Sequence, residues 1–364
     1  MEKELSFSEL NKTEQMQYNS IQKSGLCLSA IGTGCWAFGG GDYWGAQDQK
    51  DATDVVHASF ANGINYFDTA EAYNEGRSES SLGVAIKGLS RDKLIIGTKV
   101  SPSNVYASKL REHCEASLKR LQTDYIDIYM IHWPVHPHSI RHFTNNEQII
   151  SHPPTIGEAF ETMLELRREG KIRHIGISNF SRNRMNGDIP VNVPVAVNQL
   201  PYNLLCRAIE FDTKPYCEQN GIGIIGYMTL LQGILTGKYP SLDNIPEYQR
   251  RTRHFNSKGT SLCRHGESGF ETEMQTALNA LACIASETGI KMSELATKWS
   301  IAAGITCSLV GARNAKQLEE NVKAAEGSLD NEIITMLNVV TDELKQKLGN
   351  NFDYYENRNN DRTI

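Results

Sequence analysis

Short apolar runs and helix-like segments alternate along most of this chain, and this alternation restricts the possible folds more than any other feature. Eight runs are expected to be buried strands: residues 28–35, 64–68, 94–99, 126–132, 172–178, 194–199, 221–227 and 306–310. Segments between them carry apolar residues at helical spacing, as in residues 107–121. A strand and a helix that recur about every thirty residues predict βαβ units and a parallel sheet.

The number of strands separates two arrangements of that sheet. Eight strands joined through helices favour a closed (β/α)8 TIM barrel, with two long loop insertions and a C-terminal helix. An open doubly wound sheet is the alternative, but no G-x-G-x-x-G motif follows an early strand. We therefore expect that most of the 364 residues form one barrel domain, over residues 18–348.

The parts outside the regular alternation are two ends and two insertions. Residues 1–17 are expected to be a loose N-terminal arm, and residues 349–364 a polar C-terminal tail without an assigned role. The insertions, residues 135–154 and 239–269, follow strand ends on the face where barrel sites lie, so each is a candidate lid. The last helix, up to about residue 348, is expected to pack on the barrel wall.

Charge and composition exclude several classes of protein. The net charge of −6 provides no basic field for nucleic acid or anionic lipid. No apolar run is long enough to span a bilayer, and the N-terminus lacks the apolar segment of a secretory signal. We therefore expect a cytoplasmic protein without a nucleic-acid or membrane partner. The eight cysteines include no C-x-x-C pair and are expected to be reduced and mostly buried.

Reactive side chains end three successive predicted strands. Asp68 ends one strand and is followed by Tyr73, while Lys99 and His132 end the next two. Reduction of a carbonyl needs a proton donor, and a neighbouring ammonium held by a carboxylate lowers the pKa of a phenol. His132 can orient the substrate oxygen or assist the proton relay. Each residue alone has an ordinary structural explanation, but their combination on successive strand ends favours an active site.

A phosphate-binding signal lies late in the chain. Residues 311–314 (G-A-R-N) lead into a predicted helix at 315–325, whose first backbone N–H groups attract phosphate. Arg313 adds a planar cation that suits a phosphomonoester, and Gln317 and Asn321 share its helix face. An ordinary solvated and capped helix face is the alternative.

Several motifs together resemble one family. They are F-D-T-A-E-A-Y at 67–73, G-R-S-E at 76–79, G-T-K at 97–99, I-H-W-P at 131–134, G-I-S-N-F at 176–180, N-Q-L-P-Y-N at 198–203 and G-A-R-N-A-K-Q-L-E-E-N at 311–321. Over residues 18–330 the chain resembles the aldo-keto reductase superfamily, the NADPH-dependent barrel reductases. The G-A-R motif is nearer to the bacterial and channel-subunit branches than to the aldose-reductase branch.

The resemblance implies roles for individual residues. The implied catalytic tetrad is Asp68, Tyr73, Lys99 and His132, with Tyr73 as proton donor. Ser178, Asn179 and Gln199 would bind the nicotinamide carboxamide, and Tyr227 would stack on the ring. Residues 230–238 resemble the loop beside the pyrophosphate, and the residues around Arg313 would hold the adenosine end, with Arg313 favouring the 2′-phosphate of NADP. The expected cofactor residues are Trp36, Ser178, Asn179, Gln199, Tyr227, Leu230, Gln232, Gly233, Lys238, Gly311, Arg313, Gln317, Glu320 and Asn321.

The chain departs from many relatives at two places. Met228-Thr229 stands where many have Ser-Pro after the stacking tyrosine, and Asn74-Glu75 follows Tyr73 where many have Gly or Gly-Glu. Both departures concern the loops at the cofactor and leave the tetrad intact.

The predicted function is an NADP(H)-dependent oxidoreductase that interconverts an alcohol with an aldehyde, ketone or sugar carbonyl. Its substrate would be a small molecule. The residues expected to shape the substrate pocket are Trp36, Phe38, Tyr43, Trp44 and Trp133.

Three other interpretations remain open. The chain also resembles the β subunits of voltage-gated potassium channels, so it is alternatively an NADP-binding regulatory subunit with slow or vestigial turnover. Five histidines between residues 132 and 152 make metal catalysis an alternative, but several of them lie in one loop, and no metal is expected. The basic cluster at 250–254 (R-R-T-R-H) is expected to be a solvated surface or a phosphate clamp.

Overall fold

Eight parallel strands close into a barrel in the computed structural model, which describes residues 16–364. A two-stranded antiparallel hairpin precedes the barrel and consists of β1 (Tyr18–Ile21) and β2 (Leu26–Ser29). The barrel strands are β3 (Ile31–Gly34), β4 (Tyr66–Asp68), β5 (Ile95–Val100), β6 (Ile126–Ile131), β7 (Ile172–Ser178), β8 (Val195–Pro201), β9 (Gly223–Tyr227) and β10 (Cys307–Gly311). They pair in chain order, and β10 closes the barrel against β3. The predicted TIM barrel is thus confirmed.

Helices cover the outside of the barrel, apart from two short ones in the 135–154 insertion after β6. The helices are α1 (Gln49–Ala61), α2 (Arg77–Ala85), α3 (Ala107–Leu121), α4 (Pro137–Ile140), α5 (Glu147–Ser151), α6 (Ile156–Arg168), α7 (Arg182–Asp188), α8 (Thr213–Asn220), α9 (Glu271–Thr288), α10 (Met292–Ala302), α11 (Ala315–Ala325) and α12 (Asn331–Leu348). In α3, Leu110, Cys114 and Leu121 form the buried face, as their helical spacing predicts. The short α7 was not predicted, because seven residues with one buried apolar side chain show no clear periodicity.

The first predicted strand is wrong in its extent. Residues 28–35 divide between β2, which belongs to the hairpin, and β3, which belongs to the barrel. Ile21, Leu26 and Leu28 of the hairpin pack with residues inside the barrel, so the hairpin closes the barrel end opposite the strand C-termini. An apolar run cannot distinguish one strand from two, since both halves are buried.

The last sixteen residues are polar, as their composition predicts, but they are not an exposed tail. Phe352, Tyr354 and Arg362 are buried, and the Arg362 guanidinium donates to both carboxylate oxygens of Asp353 at 2.7 Å. Thr363 accepts a hydrogen bond from the backbone of Ser181, just after β7, at 3.2 Å. Polar groups that pair with each other can be buried, so the polar composition alone does not indicate whether this segment is exposed.

The predicted N-terminal arm, residues 1–17, lies almost entirely outside the described residues. All eight cysteines lie within residues 16–364 and are free, and five of them are buried. None of the helices described in the structure is long and apolar enough to cross a membrane.

Candidate active site

The four side chains of the predicted tetrad meet at the C-terminal end of the barrel. Asp68 is the last residue of β4, Lys99 lies near the end of β5, and His132 directly follows β6. Tyr73 lies in the turn between β4 and α2. Because β4, β5 and β6 are neighbouring parallel strands, their C-terminal ends bring the four groups to one place.

Lys99 is the centre of this cluster. Its side chain is fully buried, and its ammonium donates to Asp68 at 2.8 Å, to the backbone oxygen of Thr69 at 2.7 Å and to the Tyr73 hydroxyl at 3.2 Å. The second oxygen of Asp68 accepts from Gln199 at 2.7 Å. The ammonium therefore has three partners and a fixed position beside the phenol.

The electrostatics of the phenol differ in part from the expectation. Burial raises the pKa of Tyr73, Lys99 lowers it, and Asp68 raises it, so that the pKa is above the ordinary value of 10.0. Burial lowers the pKa of Lys99, but Asp68 and Tyr73 raise it, so that the pKa of Lys99 is above its ordinary value. The ammonium thus acts on Tyr73 as predicted, but desolvation is the larger effect, and the phenol is protonated at neutral pH.

His132 is neutral at physiological pH. Burial lowers its pKa well below the ordinary value of 6.5, and the charges of Lys99 and Arg362 act in the same direction. Its ring packs edge-on against Tyr73 with 5.6 Å between centroids. Its Nδ1 atom is buried and has no hydrogen-bond partner among the described residues. A neutral imidazole beside the phenol can position an oxygen atom without adding charge.

The residues predicted to hold the carboxamide form a network next to the tetrad. The Asn179 amide donates to the His132 carbonyl at 3.2 Å and to the Ser178 hydroxyl at 3.1 Å. The Tyr227 hydroxyl donates to the Asn179 side chain at 2.8 Å. Since Gln199 also touches Asp68, these polar groups and the Tyr227 ring lie beside the tetrad.

The expected pyrophosphate loop follows β9 and curves tightly. Gln232 and Gly233 have positive φ angles of 54° and 92°. Leu230 packs against the outer core, the apolar cluster between the barrel strands and the surrounding helices. A Cβ atom at Gly233 would lie 3.1 Å from the ammonium of Lys238, so the cation is close to this turn. Backbone and ammonium groups in such a turn suit a phosphate.

The expected adenosine end lies at the start of α11. Arg313 has no carboxylate partner within residues 16–364, and its guanidinium donates to Gln47 at 3.2 Å and to the Ala46 carbonyl. The Gln317 side chain accepts from the Arg313 backbone at 2.9 Å, and Asn321 donates to Gly311 at 3.1 Å. Glu320 and Gln317 are exposed on the same helix.

Amide, aromatic, phosphate-binding and cationic groups therefore follow one another around the barrel mouth on β7 to β10. This donor set fits a dinucleotide. Gln47 was not predicted, because nothing in the local sequence shows that the loop after β3 reaches Arg313.

The aromatic residues predicted for the substrate pocket separate into two groups. Trp36, Tyr43 and Trp44 cluster in the loop after β3, with Trp36 stacked on Tyr43 at 5.0 Å and 5.8 Å from the Tyr73 ring. Trp133 lies under the guanidinium of Arg362 at 4.0 Å. Phe38 does not fit the prediction, since it is completely buried in the outer core. An apolar ring in an aromatic loop supports the loop from behind as readily as it lines a pocket.

The histidines of residues 135–154 do not converge. His136 packs on His138, whereas His142 contacts Glu356 at 3.3 Å. Within the described part of the chain, no group of three or more His, Cys, Asp or Glu side chains is arranged to hold a metal ion.

Comparison with known proteins identifies the family. The sequence pattern of the Aldo/keto reductase family matches residues 30–341. The aldo-keto reductase YhdN of Bacillus subtilis is 35% identical over 319 residues, 84% of this chain and 87% of YhdN. The NADH-specific methylglyoxal reductase of Escherichia coli is 29% identical over 341 residues, 88% of this chain and 97% of that protein.

Solved structures agree with the sequence relatives. The glycerol dehydrogenase of Gluconobacter oxydans has a TM-score of 0.72 and 27% identity, covering 90% of this chain and 95% of its own. An aldo/keto reductase from Klebsiella pneumoniae in complex with NADP and acetate has a TM-score of 0.65 and 24% identity, with coverage of 90% and 95%. Because the family pattern extends over most of the sequence and the fold agrees, this chain belongs to the aldo/keto reductase family.

Proposed function

We propose that this chain is an NADP(H)-dependent oxidoreductase that interconverts a carbonyl and an alcohol, with Tyr73 as the general acid and base. The observation that carries the proposal is the fully buried Lys99 ammonium, which bonds to Asp68 and to the Tyr73 hydroxyl at the open end of the barrel. A phenol beside a fixed ammonium can release a proton and remain stabilised as a phenolate.

The roles of the residues follow from their protonation states. Tyr73 holds a proton at its hydroxyl at neutral pH and donates it to the oxygen of a carbonyl substrate. Lys99 stabilises the phenolate that is left, and Asp68 keeps Lys99 in place. Neutral His132 orients the substrate oxygen. Bound NADPH supplies the hydride; in the reverse direction the Tyr73 phenolate takes the proton from the alcohol.

The preference for NADP over NAD is supported by Arg313. Its guanidinium has no carboxylate partner in the described part of the chain and lies at the N-terminal end of α11. A planar guanidinium binds a phosphomonoester through two parallel hydrogen bonds. One relative crystallised with NADP, whereas another is named as NADH-specific, so binding of NADPH and NADH should be compared directly by fluorescence titration.

The test of the reaction is Tyr73→Phe, assayed with NADPH and a panel of aldehydes, ketones and sugars. Turnover should fall about 10²- to 10⁴-fold, because the proton donor is removed. NADPH should still bind, as measured by fluorescence titration. Tyr106→Phe is the matched control, since its hydroxyl donates to the His152 carbonyl at 2.7 Å and to no residue of the tetrad, and turnover should not change.

Unchanged turnover of Tyr73→Phe would contradict the assigned role. Tight NADPH binding by the wild-type protein with negligible turnover over the whole panel would instead favour the regulatory alternative.

A further inference from the structure

The side chains of the basic cluster at residues 250–254 have different surroundings, and His254 is neutral because burial lowers its pKa to about 4. Arg253 is buried, donates to Glu267 at 2.8 Å and also bonds to the backbone of residues 348 and 351. Buried His254 bonds to the Leu205 carbonyl at 2.8 Å. Arg251 differs: its Nε donates to the Tyr248 carbonyl at 2.8 Å, and no carboxylate among the described residues pairs with it. Its charge is therefore not neutralised within the structure.

Aromatic rings surround this cation. The Arg251 guanidinium lies 5.1 Å from the ring centre of Tyr43, 5.6 Å from that of Tyr355 and 5.9 Å from that of Tyr248. These rings belong to three separate segments: the loop after β3, the C-terminal segment and the 239–269 insertion. Ring contacts hold a guanidinium in place without cancelling its charge. Because Arg251 is half-buried, solvent screens that charge less than on an open surface.

The same rings connect Arg251 to the candidate active site. Tyr43 stacks on Trp36, and Trp36 lies 5.8 Å from the Tyr73 ring. The hydroxyl of Tyr43 also donates to Gln232 in the expected pyrophosphate loop, at 2.7 Å. A substrate whose carbonyl oxygen meets Tyr73 would have to extend past two rings to reach Arg251. An anionic group at Arg251 must therefore be several bonds away from the carbonyl carbon.

We propose that Arg251 is a binding subsite for the distal oxyanion, a phosphate monoester or a carboxylate, of an extended carbonyl substrate. The proposal rests on the proposed oxidoreductase function and names the substrate class of the same site. Both oxyanions present two oxygens to a planar guanidinium, and its terminal nitrogens match that spacing. Arg264 of the same insertion pairs with Glu356 at 2.7 Å, so it does not offer the same free charge.

The test compares matched substrates with NADPH: erythrose phosphate against erythrose, and succinic semialdehyde against butanal. The wild-type kcat/KM should favour the anionic member of at least one pair by about tenfold to a hundredfold, the usual effect of a charged hydrogen bond. Arg251→Gln should remove that preference and leave the neutral substrates unchanged, and Arg251→Lys should keep part of it. Lys258→Gln is the matched control, because it removes an exposed charge from the same insertion.

The cofactor's own phosphate is the other oxyanion that the Arg251 guanidinium could bind. If Arg251→Gln weakens NADPH binding and lowers kcat/KM for neutral and anionic substrates alike, Arg251 contacts the cofactor and the substrate subsite is wrong. Turnover of neutral carbonyls without any preference for the anionic partners would also overturn the subsite while leaving the oxidoreductase function intact.

A binding measurement is independent of turnover. Calorimetric titration of the NADP-loaded protein should show that sorbitol phosphate binds more tightly than sorbitol. Arg251→Gln should abolish this difference in affinity. That result supports the subsite even if no reaction is found, whereas equal binding of the two polyols would overturn it.

Discussion

At the scale of single residues, the site depends on competition between burial and one charge. The Lys99 ammonium stabilises the phenolate of Tyr73, but desolvation opposes ionisation more strongly, and the pKa of Tyr73 is above 10.0. Asp68 also opposes ionisation of the phenol. The free protein thus carries a protonated phenol, the form that can donate a proton.

The pH dependence of the two directions should therefore differ. Below pH 10.0 Tyr73 is protonated, so kcat for reduction should be independent of pH through the neutral range and fall only as the pH rises above that value. Oxidation needs the phenolate and should become faster as the pH rises. Initial rates in both directions check this, with circular dichroism to confirm that the protein remains folded. A fall in the reduction rate between about pH 6 and 8 would contradict a raised pKa of Tyr73.

Strained backbone also concentrates around the site. Asn74, Glu75 and Met228 have positive φ angles of 50°, 58° and 61°, a conformation that favours glycine. They are three of the four positions at which the sequence is expected to depart from the resembled family, Thr229 being the fourth. The Asn74 side chain compensates by donating to the carbonyls of Trp36 and Phe38, both at 2.8 Å, and so anchors the aromatic loop.

At the scale of elements, the strand that carries Lys99 is supported by a buried ion pair between two helices. Glu79 of α2 is fully buried and accepts from Thr98 of β5 at 2.5 Å and from Arg120 of α3 at 2.6 Å. The helices approach closely at Gly83, where a Cβ atom would lie 2.5 Å from the Arg120 carbonyl. The absence of a side chain at Gly83 thus permits the contact that orders Glu79.

Gly83→Ala should lower the free energy of unfolding by about 1–3 kcal/mol, because the added methyl group forces α2 and α3 apart. Gly157→Ala is the control, since apart from its chain neighbours and the backbone of its own helix no atom lies within 4 Å of its Cβ position near the start of α6. There the substitution should be neutral or stabilise by up to about 1 kcal/mol. Equilibrium unfolding in urea measures both, and equal effects would argue against the close helix contact.

At the scale of the whole molecule, three distant segments meet over the barrel mouth. Glu356 of the C-terminal segment accepts from Arg264 of one insertion at 2.7 Å and lies 3.3 Å from His142 of the other. The ion pair of Arg362 with Asp353 lies beside them, and Arg362 covers Trp133. The two candidate lids and the chain end are therefore parts of one cover.

Arg362→Met should lower the free energy of unfolding by about 3–5 kcal/mol, because it leaves the buried Asp353 carboxylate without its cation. Arg358→Met, an exposed arginine of the same segment, should change it by no more than about 0.5 kcal/mol. Thermal and urea unfolding of both variants provide the measurement. Similar losses in the two variants would mean that the segment does not contribute through this ion pair.

Local patterns predicted the elements of the barrel well because each strand and helix is determined by nearby residues. The boundaries of α3, β7 and α11 agree with the expected ranges. The same patterns placed Asp68, Lys99 and His132 at strand ends, and parallel neighbouring strands necessarily bring such ends together. Patterns did not indicate burial that depends on distant partners, as in the chain end and at Phe38.

The sequence by itself determined the alternation of strands and helices, the reactive groups at the strand ends and the cationic start of α11, because each follows from local periodicity and residue chemistry. Only the tertiary structure decided that Tyr73 is too buried for Lys99 to lower its pKa below the ordinary value. It also decided that the polar chain end is buried over the site and that Arg251 has no carboxylate partner in the described structure. Desolvation and charge pairing depend on which distant residues are adjacent, and closure of the barrel establishes those contacts.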